Sequence, residues 1–151
     1  MYKNILVPVD GSEPSMRGLA EAVKLAKSEK AKLHLLHVVN ELVFLDGDIP
    51  ELYDVVTQSL REGGKAVLER AATFARRNDL EPQTHLVERF GGRASDTIVE
   101  QCQAVAADLI VMGTHGRRGV SRLTMGSDAE LVVRTSPVPV LLVRLPESAN
   151  S

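Results

Sequence analysis

The chain alternates between two hydrophobic periods. Ile5-Leu6-Val7-Pro8-Val9 is a short run, apolar on both faces, that stops at the turn cluster Asp10-Gly11-Ser12. A run of this kind suits a buried parallel strand. Ser12 or a neighbour can cap the helix that follows, with Pro14 suited to its first turn. Met16, Leu19, Ala20, Val23 and Ala26 then recur at helical spacing and make one core-facing stripe. Leu33 to Val39 reads as a second strand, and Asn40 to Pro50 as a loop with Asp46-Gly47-Asp48 near its tip. Val56, Leu60, Val67, Ala71 and Phe74 trace a long helix that ends near Asn78. Gly63 and Gly64 fall inside it at a cost of about 1 kcal/mol each relative to alanine, which implies a kink or a close helix contact.

Thr84 to Glu88 is a third, weaker strand, and Phe90-Gly91-Gly92-Arg93 a loop. Ala94, Ile98, Cys102 and Val105 line one face of a third helix. Asp108 then introduces Leu109-Ile110-Val111-Met112, the clearest buried strand of the chain. A glycine-rich loop runs from Gly113 to Gly126, followed by a helix over Ser127–Arg134 and a fifth strand over Val138–Val143. Residues 1–145 read as one domain and 146–151 as a frayed tail. Strand–helix alternation predicts a single-domain α/β fold, a parallel sheet covered by helices on both faces with right-handed crossovers. Ligands of such sheets bind beyond the carboxyl ends of the strands, where the strand order reverses. The loops to watch are therefore Asp10-Gly11-Ser12, Val39-Asn40, Gly91-Gly92 and the segment from Gly113 onward.

Composition narrows the function. Apolar residues make up 44% of the 151 and charged residues 25%, ordinary for a globular protein with a real core. The net charge is −2, with no polybasic run, so nucleic acid and anionic membranes are not expected partners. No stretch approaches the roughly 18 apolar residues of a transmembrane helix, and the first dozen residues lack a signal-peptide core. A cytoplasmic location is the expectation. The one cysteine, Cys102, excludes an intrachain disulfide. With no Trp, two Tyr and three Phe, stacking platforms for single-stranded bases are poorly supplied.

The glycine-rich loop carries the candidate chemistry. It begins at the end of the best strand and ends at a helix start, where glycines let backbone N–H groups approach an anion and the helix terminus adds free donors. Arg117, Arg118 and Arg122 supply positive charge, and Ser127 a hydroxyl at the cap. Chemically this is a phosphate cradle; the plainer alternative is turn glycines, solvated arginines and a serine that only caps its helix. A Walker-type G-x-x-x-x-G-K-[ST] is absent, and glycines spaced by threes at 113, 116 and 119 are not G-x-G-x-x-G.

Gly113-x2-Gly116-x9-Gly126-Ser127 matches the G-2x-G-9x-G-[S/T] motif of ATP-binding universal stress proteins, and the chain resembles that family over nearly its whole length. The shared segments are Ile5–Ser12, the strand end His37-Val38-Val39, Asp108–Gly113 and Pro137–Val143. The resemblance implies a Rossmann-like five-stranded parallel sheet of order 3-2-1-4-5 with an adenine nucleotide across its switch point. By position, Val9, Asp10 and Val39 would surround adenine and ribose, with Met112 and Gly113 beside the ribose. Gly116, Gly126 and Ser127 would hold the phosphates, with Arg117 as helper. Pro8, Thr114 and Asp128 adjoin these and complete the candidate set. Asp10 can accept from a ribose hydroxyl, or simply form a turn before Gly11.

Asp128 departs from the small apolar or hydroxyl residue the family usually carries there. It is an ordinary first-turn acid, yet it repels a triphosphate unless Mg²⁺ or Arg117 intervenes. ATP, ADP and AMP all stay open as ligands, with or without Mg²⁺. No metal site is expected among the histidines: His34 and His37 point to opposite faces of a strand, and His85 reads as isolated. His115 reads as an exposed loop side chain and Cys102 as a small buried residue. The last strand would be a sheet edge, and universal stress proteins of this type commonly dimerise there, so a homodimer through Val138, Val140 and Leu142 is expected.

The leading expectation is a nucleotide-binding stress or regulatory protein with an unknown protein partner and little or no turnover. The alternative is a nucleotide-independent dimeric interaction protein with a degenerate site. A slow ATPase comes third.

Overall fold

In the computed structural model, which describes residues 1–41, 50–114 and 125–146, strands and helices alternate as the hydrophobic periods require. The strands are β1 (Asn4–Pro8), β2 (Lys32–Glu41), β3 (Gln83–Phe90), β4 (Leu109–Gly113) and β5 (Val140–Val143). The helices are α1 (Glu13–Glu29), α2 (Pro50–Arg77), α3 (Ala94–Ala104) and α4 (Ser127–Thr135). The sheet has the order β3-β2-β1-β4-β5, and every pairing is parallel.

The period of two along each strand divides the core in two. Ile5, Val7, Leu33, Leu35, Leu109 and Val111 face α1 and α2, whose Leu19, Val23, Val67 and Ala71 close the larger cluster. Leu6, Leu36, Ile110 and Met112 face α3 and α4, which contribute Ile98, Cys102, Ala129 and Val132 to a smaller one. Strands buried on both faces read as unbroken apolar runs, which is why β1 and β4 are the plainest in the sequence.

Three elements differ from expectation. β3 is longer than Thr84–Glu88 and includes Phe90, because an edge strand alternates polar and apolar positions. β5 starts at Val140, two residues late. Pro139 has no N–H for the ladder, although its carbonyl accepts from the Ile110 N–H at 3.0 Å. The glycine pair of α2 makes a helix–sheet approach: a Cβ on Gly64 would lie 2.8 Å from both His37 Cδ2 and Leu86 Cδ1, whereas one on Gly63 meets nothing within 4 Å. Asp46-Gly47-Asp48, His115, Gly116, Arg117, Arg118, Arg122 and most of the expected tail, residues 147–151, lie outside the described residues.

Candidate functional site

From β1 the chain crosses by α1 to β2 and β3 on one side, then returns to β4 and β5 on the other. The strand order therefore reverses between β1 and β4, and the crevice above their carboxyl ends is where such sheets take ligands. Pro8 ends β1, with Val9, Asp10 and Gly11 just beyond. Met112 and Gly113 end β4, and Thr114 follows, buried. Val39 lies near the end of β2, also buried. Gly126, Ser127 and Asp128 open α4. The fold thus gathers every described candidate at the carboxyl end of the sheet, on three strands and one helix terminus.

The β1 turn is tightly built. The Ser12 N–H donates to Asp10 Oδ1 at 2.8 Å, a local turn that Gly11 completes at φ 83°. Asp10 is thus the turn former that its place before Gly11 suggests. A carboxylate has about four acceptor sites, so that bond and a ligand hydroxyl are compatible. Ser12 caps α1, its Oγ accepting from the Ser15 N–H at 3.3 Å, and buried Ser15 accepts from the Asp10 N–H at 3.0 Å. Ser15 escaped the sequence reading because its hydroxyl accepts from Asp10 rather than from the Ser12 N–H that a capping box would engage.

His37 was also missed in this role. Its Nδ1 lies 2.8 Å from the Val9 carbonyl, which can only accept, so Nδ1 carries the proton. The ring sits where Gly64 leaves room for it and fixes the backbone at the end of β1.

Gly113 belongs to the helix packing as much as to any ligand. A Cβ there would meet the Pro14 carbonyl oxygen at 2.5 Å and its carbon at 2.7 Å, and Gly18 faces it with a would-be Cβ 3.0 Å from the Gly113 nitrogen. Two glycines thus let α1 settle on the end of β4, and replacing Gly113 perturbs folding before it perturbs binding.

The loop after β4 is closed at its base. The Thr114 N–H donates to the Val143 carbonyl at 3.1 Å, and the Gly126 N–H donates to the Thr114 carbonyl at 2.6 Å. That bond sets the start of α4 beside the end of β4. The N-cap of α4 is Gly126, which offers no side-chain cap, and Ser127 is the first helical residue rather than the cap. The first intrahelical bond reaches Gly126 from the Glu130 N–H at 3.0 Å. The N–H groups of Ser127, Asp128 and Ala129 therefore have no intrahelical acceptor. At this crevice α1 is capped by its own Ser12 and α4 is not, which leaves donors and the positive dipole end for an anion. Of the two acids in that turn, Glu130 turns along the helix to Arg134 at 2.8 Å, while Asp128 makes no ion pair among the described residues.

His34 and His85 are at the opposite end of the sheet. His34 Nδ1 lies 3.2 Å from His85 Nε2, and His34 Nε2 lies 3.3 Å from Asn4 Oδ1. The amide oxygen accepts from His34 Nε2–H, so Nδ1 accepts in turn from His85 Nε2–H. His85 is therefore paired, not isolated. Burial holds both rings below the ordinary histidine range, and for His34 the charges of His85 and Lys32 act the same way. Burial, aided by Asp108, pushes the Cys102 thiol up, which suits its core position. Among the described residues no group of three or more ligating side chains is placed to hold a metal, and no helix is long and apolar enough to cross a membrane.

At the β5 edge, Val138, Val140 and Leu142 lean half-buried on the smaller core cluster, and Leu141 faces outward with 42% of its surface exposed.

Comparison with known proteins agrees with this architecture. The model of the universal stress protein family matches residues 1–144. The chain is 32% identical over 147 residues to a universal stress protein of Methanocaldococcus jannaschii, covering 97% of this chain and 85% of that one. Its structure is similar to that of the universal stress protein UspA from Lactobacillus plantarum, with a TM-score of 0.84, 27% identity, and 95% and 98% of the two chains covered. It is also similar to a universal stress protein from Archaeoglobus fulgidus in complex with dAMP, at TM-score 0.65 and 26% identity over 93% and 97% of the chains. A further universal stress protein, solved with cAMP, aligns at TM-score 0.66 and 28% identity over 94% and 97%.

Proposed function

The chain belongs to the universal stress protein family, and from that premise we propose that it binds an adenine nucleotide above β1 and β4 and acts as a stress-response regulator in the cytoplasm, with little or no turnover. The observation that carries this reading is the amino end of α4. Its first-turn donors have no side-chain cap, and the Gly126–Thr114 bond sets them beside the end of β4, at the switch point. Phosphate is the ligand chemistry such donors favour. The relatives solved with dAMP and cAMP support an adenine nucleotide as the occupant.

On this reading the N–H groups of Ser127 and Asp128 and the Ser127 hydroxyl hold phosphate beside Gly126, whose own N–H stays on the Thr114 carbonyl, with Gly116 added by the family motif and Arg117 as helper. Asp10 accepts from a ribose hydroxyl while keeping its turn bond to Ser12. Pro8, Val9 and Val39 border the adenine, and Met112, Gly113 and Thr114 line the ribose side. Occupancy beside Thr114 and Gly126 is the signal that a protein partner reads. Homodimerisation through β5, with Leu141 as its outward apolar contact, is part of the proposal.

Asp128 sets the preference among nucleotides. A carboxylate about 4 Å from a phosphate charge costs about 1 kcal/mol per added charge in water and more where water is excluded. AMP and ADP are therefore expected to bind better than ATP when Mg²⁺ is withheld. Calorimetric titration of the wild type and of Asp128→Asn tests this: the variant's gain in affinity should be greater for ATP than for AMP, by about fivefold for each added charge placed beside residue 128. Equal changes for the two nucleotides would remove the phosphates from the first turn of α4.

A further inference from the structure

β3 is the other edge of the sheet, and among the described residues no strand pairs with its outer side. All its hydrogen-bonded neighbours lie on β2, in a register that runs from His34↔Gln83 to Glu41↔Phe90. Edge strands are normally blunted by shortness, proline, lysine or a covering element. β5 is blunted in this way, with four residues preceded by Pro137 and Pro139. β3 has eight residues and contains no proline, lysine or glycine.

A groove runs beside this edge on the α2 face. It has a volume of about 290 Å³ and is lined by Lys65, Leu68 and Glu69 of α2 and by Thr84 and Leu86 of β3. Its floor is apolar, formed by buried Leu68 and half-buried Leu86. Its charges are unequal. Glu69 is engaged by Arg76 at 3.3 Å, whereas Lys65 has no ion pair among the described residues. Glu88 and Arg61, further along the same face, pair with each other. Arg76 is shared with Glu81, so Glu69 keeps part of its charge, and Lys65 is the groove's cation left without an ion pair among the described residues, beside an apolar floor.

We propose that the β3 edge takes an extended peptide of a partner protein as a sixth strand, with an apolar side chain on Leu68 and Leu86 and a carboxylate two positions away at Lys65. The spacing fits. Residues i and i+2 of a strand share a face about 6.6 Å apart, and Lys65 and Leu68 are separated by about 4.5 Å of helix rise plus the length of the lysine side chain. The ladder supplies affinity without regard to sequence, and the groove selects the apolar–acidic pair. Phe90, 69% exposed, shares the α2 face of β3 by the period of two and gives the added strand a second apolar contact. This surface stands apart from the nucleotide crevice and does not depend on it.

The probe is a fluorescein-labelled decapeptide of alternating threonine and valine in which the third valine is replaced by glutamate. Fluorescence anisotropy should report saturable binding to the wild type and about tenfold weaker binding to Lys65→Glu, as exchanging an exposed attraction for a repulsion implies. Binding to that variant should return when the peptide carries lysine in place of glutamate. Lys65 is exposed on a helix, so its replacement leaves the fold intact, which circular dichroism checks. Hydrogen exchange should slow over residues 83–90 when the peptide binds. Equal affinities for these three pairs, no saturation at millimolar protein, or protection over residues 140–143 instead would overturn the proposal. So would assembly of the wild type beyond a dimer that Leu86→Glu abolishes, which would assign the edge to a second copy of the chain.

Discussion

Replacing Gly113 by alanine should destabilise the nucleotide-free protein. An ordinary contact needs about 3.4 Å, and the new Cβ would stand 2.5 Å from the Pro14 carbonyl oxygen, so a gap of 0.9 Å must be found. The atoms in the way are backbone at the start of α1, which Ser12 and Ser15 tie to the β1 turn, so no side chain can swing aside. Forcing one methyl into packing of this kind costs about 1–3 kcal/mol. At about 2–4 °C per kcal/mol for a chain of this size, the midpoint of thermal unfolding should fall by about 2–12 °C. Urea unfolding followed by circular dichroism, with nucleotide stripped beforehand, measures the loss directly. Gly18→Ala presses on the same contact from the helix side, so the double variant should cost less than the sum of the two. A Gly113→Ala protein with wild-type stability and lost nucleotide affinity would refute the steric argument and make this glycine a ligand residue alone.

The glycine pair of α2 should separate by sign: Gly63→Ala, in open space, gains about 0.5–1 kcal/mol of helix stability, while Gly64→Ala loses that gain and more against His37 and Leu86. Equal midpoints in urea for the two variants would contradict this. Stability should fall as pH drops from about 6.5 toward 5, because the unfolded chain protonates His34 and His85 near the ordinary histidine value while burial depresses both in the fold. The unfolded state then holds more protons across that window, so stability rises with pH through it and levels off above. Urea midpoints of the wild type against a His34→Gln, His85→Gln double variant test this, the variant being flatter; parallel curves would dismiss the histidines as the cause. If the proposed β5 dimer forms, Leu141→Lys should convert it to a monomer by light scattering, and a wild type that is already monomeric would end the β5 interface.

The parts of the fold legible in the sequence are those whose burial is complete. β1 and β4 are apolar on both faces, and in α1 the expected Leu19, Val23 and Ala26 are buried with Met16 packed against them, although Ala22 takes the core position expected of the half-buried Ala20. β3 is under-read because an edge strand exposes alternate residues. The start of α2 at Pro50 is missed for a related reason: Leu52 and Val55 are exposed there, and so are Val56 and Leu60, with which the expected stripe begins, so the core-facing part of the stripe starts only at Val67. The sheet order follows from resemblance, since periodicity does not say which strands are neighbours. In the crevice, Asp10-Gly11-Ser12 reads correctly as a turn because its bonds are local. The contact of Gly113 with Pro14, the bond from His37 to Val9 and the pairing of His85 with His34 all join residues distant in sequence. No spacing rule reaches them, and the motif marks Gly113 only as a residue beside the ribose.

The central claim is an adenine nucleotide held by the amino end of α4, and the direct test is on the protein itself. Freshly purified protein is denatured, the released small molecules are resolved by chromatography, and the stripped, refolded chain is titrated calorimetrically with AMP, ADP and ATP, each with and without Mg²⁺. The expected result is saturable binding of an adenine nucleotide, AMP and ADP ahead of ATP when Mg²⁺ is withheld, with the ATP deficit narrowed in Asp128→Asn. A clean chromatogram together with no heat at millimolar nucleotide, Mg²⁺ present, would contradict it and leave a protein that works through its surfaces alone.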